Sequence, residues 1–301
     1  MKIALGPLLY HWLRDDVFAF YDAIAQTSVD IVYLGETVCS RRHELRLNDW
    51  IAIATRLQEA GKEVVLSSQV LLESGSEVSM LHKIVDVATE HGWMVEANDM
   101  GAVHCLEGKI PFVAGPHLNI YNLPTLLWMA SLGLKRWVMP LEMCRDELAH
   151  LQLGCPAHLQ TEVFAYGRMP LAFSARCFTA RHINLPKEDC QFSCLNIADG
   201  LLMRTRENDG FLVLNGTQTQ SARVYNLLPE LDSMRNMGID VVRISPQSTH
   251  TLQIIDAFHQ VIHQKISASD AMQIVVPLMP DQPCNGFWYG KPGLDQLVAQ
   301  P

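Results

Sequence analysis

Short apolar runs alternate along the chain with stretches in which apolar residues recur every three or four positions. A short apolar run bounded by turn formers predicts a buried strand, and 3.6-residue spacing predicts an amphipathic helix. Strands are predicted over 2–9, 29–35, 63–68, 93–98, 111–116, 136–141, 161–166 and 239–244. The first helix is predicted over 14–26, where Val17, Phe20, Tyr21 and Ile24 share a face. Asp15 and Asp16 suit its positive N-terminus. A second helix is capped by Asn48 or Asp49 and stopped by Gly61. Further helices are predicted over 76–91, 122–132, 145–151, 229–237 and 250–264, and 211–215 reads as a strand or hairpin arm.

Repeated βα units imply a parallel sheet covered by helices. With 211–215 set aside, eight strands fit an α/β fold of closed (β/α) barrel, TIM-barrel type, better than an open doubly wound sheet. No GxGxxG or Walker-type loop follows the first strand, which weakens the nucleotide-binding alternative. The expectation is one barrel-like domain over 1–301 with a cysteine-bearing insertion around 168–210. Barrel chemistry sits at the C-terminal ends of the strands. Glu36, Cys39, Gln69, Asn98, Asp99, His117, Asn119, Glu142, Ser245 and Gln247 fall at those ends and predict a polar pocket.

Composition narrows the function. Of 301 residues 49% are hydrophobic, ample for a sizeable core. The formal net charge is -9 and no run of Lys or Arg stands out, which disfavours nucleic-acid binding. The opening MKIALGP lacks the pattern of a secretory leader, and no stretch approaches the roughly 18 unbroken apolar residues of a membrane span. A cytoplasmic, soluble chain is expected. In that reducing compartment the eight cysteines are ligands or packing residues rather than disulfides.

Three cysteines fall together, Cys177, Cys190 and Cys194, on a segment broken by Pro186, Lys187, Glu188 and Asp189. Thiolates on an irregular loop converge on one centre more readily than thiolates on a strand, which alternate faces. A fourth ligand must come from elsewhere, and Cys39, just past a strand at the same barrel face, is the natural candidate. The C-x12-C-x3-C spacing is neither a common zinc-ribbon pattern nor the ferredoxin run, so spacing leaves iron–sulfur and zinc both open. Arg41, Arg42, Arg176 and Arg181 flank these thiols and would ease their ionisation, bind an anion, or simply face solvent. Cys105, Cys144, Cys155 and Cys284 read as packing residues.

The segment 162–181, EVFAYGRMPLAFSARCFTAR, carries a glutamate (Glu162), a glycine (Gly167) and a Ser-x-x-Cys stretch (Ser174 to Cys177) with more cysteines soon after. It resembles the signature of the collagenase-like peptidase superfamily. Further blocks are LGP (5–7), VYLGETVCSRR (32–42), PFVAG (111–115), FSARCFTAR (173–181), VLNGTQ (213–218), VVRISPQ (241–247) and CNGFW (284–288). Together they resemble the branch of that superfamily that serves anaerobic ubiquinone biosynthesis. The resemblance implies a [4Fe-4S] cluster on Cys39, Cys177, Cys190 and Cys194. It implies a heterodimer with UbiU, a functional link to the lipid-binding UbiT, and oxygen-independent hydroxylation of a quinone-ring precursor with prephenate as the oxygen source. An RNA hydroxylation factor of the same superfamily and a zinc-stabilised, non-catalytic scaffold are the alternatives. Proteolysis is disfavoured: there is no GxSxG or HExxH, and nothing orients His182 as a base for Cys177. The apolar segment at Trp288 and Tyr289 either meets a partner or caps the barrel.

Overall fold

In the computed structural model, which describes residues 1–297, seven parallel strands follow one another in chain order. They are β1 (Lys2–Leu5), β2 (Ile31–Leu34), β3 (Glu63–Ser67), β4 (Met94–Ala97), β5 (Phe112–Ala114), β6 (Leu134–Val138) and β7 (Gln160–Phe173). The chain then leaves the barrel through β8 (Leu201–Arg204), β9 (Gly210–Asn215) and β10 (Gln218–Asn226), joined antiparallel to one another and to β7. Strand β11 (Val241–Ile244) returns and pairs in parallel with both β7 and β1, so the eight-stranded parallel barrel closes. The last four positions of the expected domain, 298–301, lie outside the described residues.

Helices α1 (Arg14–Ala25), α2 (Leu47–Glu59), α3 (Gly75–His91), α4 (Met100–Leu106), α5 (Leu123–Ser131) and α6 (Arg145–Gln152) fill successive crossovers. A short α7 (Phe178–His182) lies in the excursion, and α8 (Leu231–Asn236), α9 (Thr251–Ile262) and α10 (Ala268–Val275) follow. Their inward faces pack on the outside of the barrel. In α1 these are Val17, Tyr21 and Ile24, as the 3.6-residue spacing requires. Among the described residues no helix is long and apolar enough to cross a membrane.

Side chains alternate across each strand, so every second residue points into the barrel. Ala4, Ile31, Tyr33, Val65, Val113, Val138 and Val241 form a small inner apolar cluster separate from the helix-covered core. Charged residues complete the filling. Glu162 accepts from Tyr33 Oη and from Arg243 Nε, both at 2.5 Å. Arg243 Nη1 lies 2.8 Å from Glu96, and its guanidinium stands 4.0 Å from the Tyr33 ring centre. Arg136 donates to Tyr33 Oη at 3.1 Å and to Glu63 at 2.6 Å. The two arginines are held well above their ordinary range: their carboxylate and Tyr33 neighbours outweigh burial, the largest single influence, which pulls the other way.

Several boundaries differ from expectation. Strand β1 ends at Leu5 rather than residue 9, because Pro7 has no N–H to donate. Leu8, Leu9 and Tyr10 stay buried as loop, which explains their apolar character. Strand β6 covers 134–138 rather than 136–141, Pro140 lying past its end, and β5 is three residues long. The helix expected over 229–237 starts as a 3-10 turn at Leu228–Glu230. Strand β7 runs to Phe173 instead of stopping at 166. It changes partners at Gly167, where the backbone adopts φ 129° and a Cβ would sit 2.6 Å from Ser245 Cβ. Gly167→Ala is therefore expected to cost about 2 kcal/mol or more, from backbone strain plus that clash. Urea unfolding checks this; an unchanged midpoint would show that β7 bends freely there.

Candidate functional site

Loops at the C-terminal ends of the strands carry the polar residues. The loop after β2 turns tightly around Glu36, whose carboxylate accepts from Val38 N at 2.8 Å and Cys39 N at 3.0 Å. Burial raises the Glu36 pKa, against the pull of Arg42 at 3.6 Å. Cys177 follows β7 through a turn in which Ser174 Oγ accepts from Arg176 N at 3.1 Å, and its thiol caps α7 by accepting from Ala180 N at 3.5 Å. Cys190 is buried, and Cys194 lies in the 3-10 turn Ser193–Asn196.

The four thiols come into one region. Burial pushes Cys39 up to about 11, and Cys177 and Glu36 add to that rise. Burial also raises Cys194, with Cys177 and Cys190 contributing and Arg42 opposing. Each thiol thus lies within electrostatic reach of another in a connected set. They are not closed on a common point: among the described residues no three His, Cys, Asp or Glu groups are placed to hold a metal ion. All eight cysteines are free. Cys284 and Cys105 are buried, and burial pushes Cys284 up to about 12.

Arg42 is the buried cation of the region. Its Nη1 donates to Leu9 O and its Nη2 to Asn215 Oδ1, each at 2.7 Å. It thereby ties the loops after β1 and β2 to the β9–β10 hairpin. Arg41 donates to Glu188 O at 2.6 Å, fastening the Cys39 loop to the segment bearing Cys190, whereas Arg176 and Arg181 face solvent. Buried Nε atoms of Arg41 and Arg42 and the buried Thr37 hydroxyl have no protein partner. Such donors beside four thiols suit a group rich in sulfur acceptors, so the residues fit an iron–sulfur cluster or another thiolate-held metal.

One neighbour has no signal in the sequence. His11 Nδ1 lies 3.2 Å from Cys194 Sγ although 183 positions separate them. Burial lowers His11 to about 4 and raises Cys194. Both shifts hold the pair neutral, the reverse of the thiolate–imidazolium pair of a cysteine nucleophile.

The other strand-end residues divide into two groups. Glu36 and Gln69 line one cavity with Arg42; Asn98, Ser245 and Gln247 are buried; and His117 is half-buried. Asp99 is engaged as the cap of α4, accepting from Gly101 N at 2.6 Å. Asn119 and Glu142 are exposed and form no part of an enclosed pocket. Trp288 is fully buried and donates to Glu230 at 3.2 Å, while Tyr289 donates to the same carboxylate at 2.5 Å, so this segment is fixed within the chain.

His117 packs edge-on against Phe173 at 4.8 Å, and burial lowers its pKa to about 4, with Arg243 adding and Glu96 opposing. A depressed histidine stabilises the fold above its unfolded pKa near 6.5, and that contribution is lost as pH falls toward 4. His117→Gln should flatten part of the decline in melting temperature between about pH 6.5 and 4. Parallel melts of parent and variant across that range check it; identical slopes would remove His117 as a source.

Comparison with known proteins follows this geometry. A 116-residue segment is 27% identical to tRNA hydroxylation protein P of Haemophilus influenzae, covering 38% of this chain and 25% of that protein. A 184-residue segment is 25% identical to tRNA hydroxylation protein P of Helicobacter pylori, covering 54% of this chain and 42% of that protein. The matches thus span less than half the length of either relative. Among solved structures, the U32 peptidase Mk0906 aligns over 82% of this chain and 93% of its own at 12% identity, with a TM-score of 0.46. The family model for peptidase family U32 matches residues 18–293, nearly the whole sequence, from within α1 through every later barrel strand and all four of the clustered cysteines. The chain belongs to peptidase family U32.

Proposed function

We propose that this chain is a UbiV-type subunit of an oxygen-independent hydroxylation system, holding a [4Fe-4S] cluster on Cys39, Cys177, Cys190 and Cys194. The observation that supports the reading is the stitching of the Cys39 loop to the segment that bears Cys190 and Cys194: Arg41 donates to Glu188 O, and His11, from the loop after β1, stands 3.2 Å from Cys194 Sγ. The hydroxylation proteins among its relatives support the reaction class. The ubiquinone ring as acceptor, prephenate as oxygen source, UbiU as partner and UbiT as accessory rest on the sequence blocks described above.

When bound, such a cluster supplies one-electron chemistry. The chain's own residues hold its surroundings. Arg42 places a buried positive charge against the thiolates. With a cluster bound, His11 Nδ1, 3.2 Å from Cys194 Sγ, would stand as a donor to that sulfur, and Glu36 fixes the backbone that presents Cys39. Four cysteine ligands leave no exchangeable position, which favours electron transfer or a structural role over direct substrate binding. Anaerobic purification with iron, sulfide and zinc analysis tests the reading. Zinc in place of iron would leave a structural scaffold, and absence of both metals would leave packing cysteines.

The names of the two relatives favour RNA as the acceptor in a second reading. The net charge of -9 opposes it. Micromolar, salt-sensitive retardation of cellular RNA in a gel-shift titration would move the assignment to RNA.

A further inference from the structure

The C-terminal end of α9 carries two histidines one helical turn apart, His259 and His263. That spacing puts both side chains on one face, the arrangement by which two imidazoles of a helix share one metal ion. The rings do meet: their centres lie 4.3 Å apart and their planes are inclined by 52°. His263 is exposed and His259 half-buried, so solvent and its ions reach the pair.

The helix end that presents them is fixed. His263 N donates to His259 O at 3.0 Å, which keeps the two residues in helical register. Lys265 N closes the turn on Gln260 O at 2.8 Å, with Gln264 in the left-handed region at φ 56°. Arg235 Nη2 donates to Ile262 O at 2.8 Å and anchors this turn to α8. The surroundings also favour a cation. The last carbonyls of a helix carry partial negative charge. Asp256, from the preceding turn, and Asp30, just before β2, lie within electrostatic reach of His259, with Lys265 opposing them. Burial, His263 and Lys265 together lower the His259 pKa, so its ring is neutral and able to coordinate at neutral pH.

We propose that His259 and His263 chelate a divalent transition-metal ion, zinc being the representative case, with water completing its coordination. Neutral imidazoles suit this class of ion, whereas magnesium and calcium take oxygen ligands. Two protein ligands make an open, exchangeable site and not a closed structural one. The pair is separate from the thiols: Asp30 precedes β2 and Cys39 follows it, so the histidines and the cysteines belong to opposite ends of the barrel. An ion held here clamps the last turn of α9, and it is zinc that the cysteines do not hold.

Equilibrium dialysis of the full chain against zinc chloride, with bound zinc measured per chain, tests this. The parent should hold about one zinc more than His259→Ala or His263→Ala. His250→Ala, which removes an exposed histidine at the start of the same helix, should bind as the parent does. The difference between parent and His263→Ala should be the same in a Cys194→Ala background. If His259→Ala fails to fold, His263→Gln, at its exposed position, gives the same loss. Equal zinc in the parent and a folded variant of the pair, an equal loss in His250→Ala, or a difference that vanishes in the Cys194→Ala background would each overturn the proposal.

Discussion

Arg243→Met lowers stability by about 3–5 kcal/mol, the usual cost of removing one partner from a buried ion pair. In a chain of this size that corresponds to a fall in melting temperature of roughly 10 °C. The cause lies inside the barrel. Glu162 and Glu96 are both almost wholly buried, and Arg243 is the cation that lies between them. Methionine fills a similar volume but leaves two carboxylates without that cation in a site shielded from water. Arg136 compensates poorly, its Nε lying 3.8 Å from Glu162 and its Nη2 being committed to Glu63. Adding Glu162→Gln should recover part of the loss, since it removes one of the stranded charges. A deficit below about 1 kcal/mol would mean that the interior is far better hydrated than its burial implies.

The second large effect concerns the thiols. Anaerobically purified parent protein should contain about four irons and four sulfides per chain, the content of one [4Fe-4S] cluster. Alanine at Cys39, Cys177, Cys190 or Cys194 should remove that iron, while Cys284→Ala keeps it. The control is informative because Cys284 is equally free but lies in the short strand β12 (Pro283–Cys284), opposite Tyr225 of β10. Buried thiols with raised pKa values ionise at neutral pH only against a cation, so metal uptake should release protons. Retention of iron in any of the four variants would remove that residue from the ligand set, and a loss in Cys284→Ala equal to theirs would point to general instability.

The barrel was legible because seven of its strands are short apolar runs spaced by periodic helices, and β11 repeats that pattern after the excursion. Its charged interior was not. Glu96 and Arg243 each sit singly among apolar neighbours, while Arg136 follows Lys135 and Glu162 follows Thr161, and a charge in a strand reads as a surface position until the pairing shows that all four point inward. Strand β10 escaped for a related reason. Gln218, Gln220 and Ser221 are buried there and bond largely among themselves and their neighbours: Gln220 Nε2 donates to Gln218 Oε1 at 2.8 Å and Tyr10 Oη to Gln220 at 3.1 Å. Hydropathy has no means of registering a polar core that hydrogen-bonds to itself. Helix α10 did carry a signal, Ser267 capping Asp270 N at 3.0 Å. The cysteines were visible through their clustering and their strand-end placement, while His11 was invisible because only the closed barrel brings it to Cys194.

The stitching by Arg42 has a consequence for biogenesis. Cys39 emerges early in synthesis and Cys177, Cys190 and Cys194 much later, and the tie to Asn215 is available only after the β9–β10 hairpin exists. A nascent chain therefore presents isolated thiols for most of its translation, exposed to premature oxidation or to stray metal. On the cluster reading proposed above, the group would meet a finished acceptor and not a linear segment, because the parts that carry the thiols are tied together only once that hairpin has formed.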